Sequence, residues 1–185
     1  MDSSNNAAKL KVVGVGGAGG NAINDMMQSD IISDVEFIAI NTDKQDLERS
    51  LTQSRVLLGE GTGAGADPEK GKNAAKESEE KIREVLKGTD MLFITAGMGG
   101  GTGTGASPIV AEVARGMGIL TVAVVTKPFE FEGPLKKSNA ETGIENLKKH
   151  VDTLIAIPNE KLFELPNISI TLMNAFKEAN SVLRV

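Results

Sequence analysis

The sequence has no cysteine, no tryptophan and no tyrosine, and a single histidine, His150. Without cysteine there is no disulfide, no thiol nucleophile and no thiolate-bound zinc. One histidine excludes a His-rich metal centre. The aromatics are six phenylalanines, too few for the stacking platforms of a single-strand nucleic-acid binder. Positive charge is also in the minority, with 20 Lys and Arg against 25 Asp and Glu and a formal net charge of -5. That balance argues against a nucleic-acid partner or an anionic membrane surface. No apolar run approaches the ~18 residues that a membrane span needs. The opening MDSSNNAAKLK lacks the apolar segment of a signal peptide, so a cytoplasmic chain without direct membrane insertion is expected.

What is present is a globular composition, 40% hydrophobic and 24% charged over 185 residues. That is enough for one domain, or one domain with an extension, to bury a core without staples. Residues 1–8 are polar and read as a disordered tail. Short β-branched runs then alternate with helical patterns. The expected strands are Leu10–Val15, Glu36–Ile40, Arg55–Leu58, Met91–Thr95, Ile119–Val125 and Thr153–Ile157, several of them apolar nearly throughout, as in strands covered on both faces. The expected helices are Asn21–Ser29, Pro68–Lys87, Thr104–Gly116 and Leu135–His150. Asp67-Pro68 reads as an N-cap followed by Pro at the first helical position, and Gly88 as a stop. The alternation predicts an α/β fold: a Rossmann-like, mostly parallel sheet with helices on both faces. Leu172, Met173, Phe176, Ala179, Val182 and Leu183 recur at helical spacing with no Gly or Pro stop. They form either a last helix packed on the sheet or one that continues into a second domain.

Glycine is in excess, at 21 residues against a usual ~7%. Two clusters, Gly14 to Gly20 and Gly97 to Gly105, hold 11 of them. The first, VVGVGGAGGN, contains G-x-G-x-x-G at Gly14, Gly16 and Gly19 between a strand and a helix. There the backbone can approach a phosphate and the helix offers unpaired N–H groups. It fits a dinucleotide site, with Asp43 placed to hold a ribose hydroxyl, or simply a tight turn packing helix on strand. The second, AGMGGGTGTGASP, again lies between strand and helix and is costly to order. Thr102 and Thr104 add hydroxyl donors. Two such loops suggest one site gripping a di- or triphosphate from two sides, the alternative being a flexible linker. Neither contains the Lys of a G-x-x-x-x-G-K-[ST] loop, so phosphate charge is left to backbone amides, hydroxyls and a metal brought with the nucleotide.

The segments GGAGGN at 16–21, NTD at 41–43, GAGADPEKG at 63–71, GMGGGTGTG at 97–105 and TKPFEFEG at 126–133 together resemble the FtsZ family, the bacterial tubulin-like cell-division GTPases. The resemblance implies a GTP-binding domain over 9–167, and over 168–185 the start of a central helix that precedes a second, activation domain. It implies GTP or GDP as ligand, with Mg2+ accompanying the nucleotide. Gly17, Ala18, Gly19, Gly20 and Asn21 are similar to the first phosphate loop. Gly101, Thr102 and Gly103, with Gly99, Gly100 and Thr104 nearby, are similar to the second. By the same resemblance Glu141 meets the ribose, or else lies on a solvated helix face. Asn159 lies near the base. Asn180 reads guanine, or is an ordinary polar helix position. Phe176, one turn earlier, stacks on the base or belongs to the core. Glu145 completes the set by position, although the family often carries Arg or Thr there and a carboxylate cannot pair with an anionic ligand. The loop GEGTGAG at 59–65 is shorter than the family's usual form, which bears on sensing the terminal phosphate.

The family implies head-to-tail filaments, division-ring partners and a cytoplasmic location at the division site. It also implies GTP hydrolysis completed by an acidic loop of the next subunit, a loop expected beyond Val185, so the chain alone is expected to be inactive or very weak. Asp43, Asp67 and Glu69 are the in-chain acids able to orient water, though capping or ribose contact explains them as well. His150 reads as a surface or helix-end residue. Two other functions fit parts of the pattern: a non-catalytic fragment that caps a filament, and a Rossmann oxidoreductase resting on the first glycine motif alone. One physical expectation follows from the C-terminal stripe. Leu172, Met173, Phe176, Val182 and Leu183 cannot all face one sheet, so the chain should self-associate at high concentration. Sedimentation showing a strict monomer at every concentration would contradict this.

Overall fold

The computed structural model describes residues 8–29, 34–159 and Asn174. Six strands form one sheet: β1 (Leu10–Val15), β2 (Val35–Asn41), β3 (Ser54–Leu57), β4 (Met91–Gly97), β5 (Leu120–Lys127) and β6 (Thr153–Pro158). Their order is β3-β2-β1-β4-β5-β6 and every pairing is parallel. β1 lies at the centre, with Val15 opposite Ile40 on one side and Ala96 on the other, and all of its residues are buried.

Side chains alternate across the strands, and each face has its own core. On one face Leu10, Val12, Phe37, Met91 and Phe93 meet Ile23 and Met26 of α1 (Gly16–Ser29) and Leu47 of α2 (Lys44–Glu48). On the other, Val13, Val15, Ile38, Ile40, Leu92 and Ile94 meet α3 (Pro68–Glu77), α4 (Glu79–Leu86), α5 (Thr102–Gly116) and α6 (Pro134–Lys148) through Ala75, Ile82, Leu86, Val110, Ile144 and Leu147. A fully buried Leu, Ile or Phe contributes about 1.5–3 kcal/mol relative to leaving it exposed, so both layers are held mainly by these aliphatic contacts. No described helix is long and apolar enough to cross a membrane.

The helices differ from expectation in three places. Both helices after the glycine clusters start early, α1 at Gly16 rather than Asn21 and α5 at Thr102 rather than Thr104. Glycine's helix propensity, ~1 kcal/mol worse than alanine's, is overridden by packing that only glycine permits. The expected helix over 68–87 is two helices, α3 and α4. Ser78 leaves helical geometry at φ -110° and ψ 17°, and its buried hydroxyl accepts the Gly59 N–H at 3.3 Å. A Ser hydroxyl that finds a backbone partner competes with the helix. The third element, α2, is too short to show periodicity; Asp43 starts it by accepting from the N–H of Gln45 and Asp46 at 2.9 and 3.2 Å. Asp67 caps α3 as expected, accepting from Glu69 N–H, with Pro68 in the first turn.

α3 and α5 approach more closely than side chains would allow. A Cβ on Gly105 would stand 2.0 Å from the Pro68 carbonyl oxygen, and one on Gly71 would stand 2.4 Å from that of Gly101. Gly116, at the far end of α5, has open space and no left-handed φ. Gly105→Ala should therefore lower stability by ~1–3 kcal/mol or more through overpacking. Gly116→Ala should raise it by roughly 0.4–1 kcal/mol. Urea unfolding midpoints of the two variants check both signs.

Candidate functional site

In an open parallel sheet the ligand site lies beyond the carboxyl ends of the strands where the order reverses. Here that point falls between β1 and β4, the two strands that run into the glycine clusters. The two loops touch: Gly16, with φ at +78°, places its Cα beside Gly103, so that a Cβ would be 3.2 Å from Gly103 N. A cleft of about 550 Å³ opens there. It is lined by residues 16–18, 41–43, 62–66 and 100–103 together with Val15, Asp46, Gly97, Met98, Thr126, Pro128, Glu132 and Asn159.

The glycines divide into two groups. A Cβ on Gly14 would meet the Gly19 carbonyl oxygen at 2.3 Å, one on Gly19 the Thr95 oxygen at 2.5 Å, and one on Gly103 the Gly97 oxygen at 2.3 Å. One on Gly97 would meet Ala18 Cβ at 2.8 Å, and one on Gly101 would meet Ala64 Cβ at 2.7 Å. These five are demanded by the protein's own packing. Gly20 and Gly100 have nothing within 4 Å, and Gly17 has only Asp46 Oδ2 at 3.5 Å. Packing within the described residues leaves the absent side chain unexplained at these three, and all of them face the cleft or the crevice beside it.

Neither helix start carries negative charge of its own. Neither α1 nor α5 has an acidic residue in its first turn, and Gly101, before α5, makes no side-chain capping bond. The first four N–H groups of a helix lack intrahelical partners, and the aligned peptides put partial positive charge at that end. Two such ends converge here. Among the described residues the cleft lining contains no Lys, Arg or His. Its electropositive character is carried by backbone, and the ligand class that suits it is an extended polyanion.

A third wall comes from residues 58–66. This loop is tied to the end of β2 by Leu58 N–H to Asn41 O at 2.8 Å, Gly63 N–H to Thr42 O at 3.0 Å and Lys44 N–H to Gly61 O at 3.1 Å. Thr42 Oγ1 lies 2.6 Å from Thr102 Oγ1, a hydroxyl bond joining this wall to the start of α5. Loop and second glycine cluster are thus one connected rim. Although the loop is short, it still reaches the cleft.

Of the residues singled out from sequence, Gly17, Ala18, Asp43, Gly100, Gly101, Thr102, Gly103 and Asn159 line the cleft. Gly20 and Asn21 line the narrower crevice between α1 and α2. Gly19 is internal packing. Gly99, at φ +115°, donates its N–H to Thr104 Oγ1 at 2.7 Å, so buried Thr104 shapes the loop from behind. Asp43 is occupied in capping α2. Glu141 and Glu145 are exposed on α6 and are not among the cleft residues. Asp67, Glu69 and His150 line a separate groove between α3, α5 and α6. Phe176 and Asn180 lie outside the described residues. Sequence reasoning missed Thr42, Asp46, Thr62, Thr126 and Glu132. Thr42 lies within the NTD segment and Thr126 and Glu132 within TKPFEFEG, but of these two segments only Asp43 is singled out from sequence.

The division of the glycines is testable. Gly103→Ala, which would drive a Cβ into the Gly97 carbonyl, should lose several degrees of thermal stability. Gly100→Ala should melt with the parent chain. Calorimetry of the two ligand-free variants separates them.

The family model described as Tubulin/FtsZ family, GTPase domain, matches residues 9–167. The chain is 56% identical over 186 aligned positions to the cell division protein FtsZ of Coxiella burnetii, covering 98% of this chain and 48% of that protein. Among solved structures it is similar to an empty FtsZ dimer from M. jannaschii, at 50% identity and TM-score 0.82, over 95% of this chain and 52% of that one. It is also similar to CetZ1 from Haloferax volcanii, a GDP-bound monomer, at 27% identity and TM-score 0.74, over 82% and 51%. The chain thus spans about half the length of the relatives it matches. With a parallel sheet, two glycine loops meeting at its switch point and a family model matched from residue 9 to residue 167, the chain belongs to the tubulin/FtsZ family and carries its GTPase domain.

Proposed function

We propose that the cleft binds a guanine nucleotide, GTP or GDP, and that the chain acts within a cell-division protein assembling head to tail at the division site in the cytoplasm. The observation that carries this reading is the convergence of two helix N-termini, neither with an acid in its first turn, on one cleft that has no cationic side chain among the described residues. The phosphates lie across the first turns of α1 and α5, where the backbone N–H groups of 16–18 and 101–103 meet their oxygens. Gly17, Gly20 and Gly100 leave room for that approach. The hydroxyl of Thr102, already directed along the rim by Thr42, donates to the outermost phosphate. Asn159, at the end of β6 and in the cleft lining, stands beside the base. Glu141 meets the ribose, Phe176 stacks on the base, and Asn180 accepts from the ring N–H of guanine while donating to its carbonyl oxygen. Adenine satisfies neither of those two bonds.

Mg2+ accompanies the triphosphate. Among the described residues no three acidic or histidine side chains could hold a metal ion by themselves. The cleft does offer the oxygen donors that Mg2+ prefers, and Mg2+ is commonly bound through phosphates with one or two carboxylates. Asp46 and Asp43 are the candidates to complete its shell. The ion supplies charge neutralisation between the phosphate oxygens. Hydrolysis is completed in trans by an acidic loop of the next subunit, so the 185-residue chain alone turns over slowly or not at all. Self-association is favoured by exposed apolar residues, Phe131 at 84% and Leu135 at 73% exposure, close in sequence to Pro128 and Glu132 of the lining. Patches of this kind mark interaction sites. Family membership leaves no support for the oxidoreductase alternative.

A thermal-shift titration with GTP, GDP, ATP and NAD, each with Mg2+, tests the reading. Ligand at ~100 times its dissociation constant adds about 2.7 kcal/mol, several degrees for a domain of this size. Guanine nucleotides should shift the melt, ATP and NAD should not, and Gly100→Ala should abolish the shift. A response to ATP equal to that with GTP overturns it.

A further inference from the structure

Among the described residues the cleft has no cationic side chain, yet it has carboxylates: Asp43, Asp46 and Glu132. Glu132 has both oxygens engaged, and Asp43 has one, turned to the start of α2. Asp43 Oδ1 accepts two N–H groups at the start of α2. Glu132 Oε2 accepts the Phe129 N–H at 2.6 Å, and its Oε1 lies 3.4 Å from Lys136 Nζ. Asp46 is different. Its Oδ1 is 3.5 Å from the Arg49 guanidinium, an open i,i+3 pair on an exposed helix face, of a kind that contributes little. Its Oδ2 accepts no hydrogen bond among the described residues and is turned toward the first glycine loop, where it would be the one neighbour of a Cβ on Gly17, at 3.5 Å. Asp46 borders both the cleft and the crevice behind it. Its position is held from two sides, by the Asp43 cap and by Leu47, 8% exposed, buried under the sheet.

A free carboxylate oxygen therefore stands beside the helix start whose orphan N–H groups invite an anion. Bare phosphate arriving there meets a like charge in partly desolvated surroundings, where such repulsion is stronger than in bulk water. Phosphate carrying a divalent cation meets the same oxygen as a partner.

We propose that Asp46 makes the cleft select the metal-complexed nucleotide over the free nucleotide, opposing phosphate that arrives without a cation and supporting phosphate that arrives with one. The proposal rests on the nucleotide reading of the cleft.

The test is a binding titration of the 185-residue chain with a fluorescent GTP analogue in Mg2+ and, separately, in EDTA. Asp46→Asn keeps the shape and removes the charge. It should raise affinity in EDTA on the order of tenfold and leave unchanged or weaken affinity in Mg2+, so the ratio between the two conditions collapses. Glu48→Gln removes the same formal charge from the exposed side of α2 and should alter neither, which separates a local effect from net charge. If Asn proves poorly folded by ligand-free calorimetry, Asp46→Ser provides the same comparison. An Asp46 variant that folds and keeps the parent's Mg2+-to-EDTA ratio overturns the proposal while the nucleotide reading stands. A parent chain that binds the analogue in neither condition overturns both.

Discussion

Everything at the functional end of this domain depends on leaving the first N–H groups of α1 and α5 unpaired and aiming them at the same place. Unpaired amides are costly when buried and unremarkable when wet. The chain keeps them at the mouth of a cleft, with no side-chain cap at the start of α5 and no acid in the first turn of either helix. Bringing two helix starts so close requires backbone to lie against backbone. That is why Gly14 sits on Gly19, Gly19 on the Thr95 carbonyl, Gly103 on the Gly97 carbonyl and Gly101 against Ala64 and Asp67. The glycine excess is thus a packing requirement before it is a binding one. Each glycine gives up more backbone entropy on folding than another residue would, and the sheet and its two aliphatic layers offset that loss from a distance.

The second tier is the rim. Residues 58–66 contribute to the cleft because the end of β2 holds them with main-chain hydrogen bonds, and Thr42 then connects that wall to α5 through one hydroxyl contact. The rim carries its own strain. Ala66 sits at φ +62°, in the left-handed region, which a Cβ makes unfavourable by roughly 1–2 kcal/mol. Non-glycine residues persist in that region where the surroundings over-determine them, and such residues cluster at ligand clamps. Here Asp67 anchors the following turn by capping α3 while its N–H is taken by the Ala64 carbonyl. The segment 64–67 is therefore fixed between a helix start and the second glycine loop, with little freedom to relax.

The parallel sheet is readable because several of its strands are apolar nearly throughout and bounded by turn residues. β1 matches its expected span from Leu10 to Val15, and the other five differ only at their ends. The Asp67-Pro68 helix start was readable for the same local reason: a cap and a Pro act within a few residues. What escaped was set by long-range contact. The early starts of α1 and α5 depend on a carbonyl of β4 and on the partner loop, which no window of sequence contains. The break at Ser78 depends on Gly59, 19 residues away. At the site, the glycine loops and Asn159 were legible as motifs. Thr42 was not singled out, because its partner Thr102 is 60 residues distant, and Asp46 looked like an ordinary residue of a short polar stretch. The exposed positions of Glu141 and Glu145 follow from α6, whose buried side is Ala140, Gly143, Ile144 and Leu147.

The lack of a cationic side chain in the cleft among the described residues has an energetic logic. A lysine in either glycine loop would neutralise phosphate whatever its counterion, and its side-chain entropy would oppose each ordering event. Backbone amides are already ordered by folding, so they donate without that loss, but two partial charges of about +0.5 each fall short of balancing a di- or triphosphate. On the proposed reading, the remainder travels with the ligand. A rim bearing Asp43, Asp46 and Glu132 increases that deficit, and increases it most beside Gly17, where Asp46 has an oxygen to spare. Donors fixed in the backbone and a carboxylate in place of a lysine act in the same direction: they make the charge state of the incoming ligand, rather than the protein's own side chains, decide whether the cleft is electrostatically closed or open.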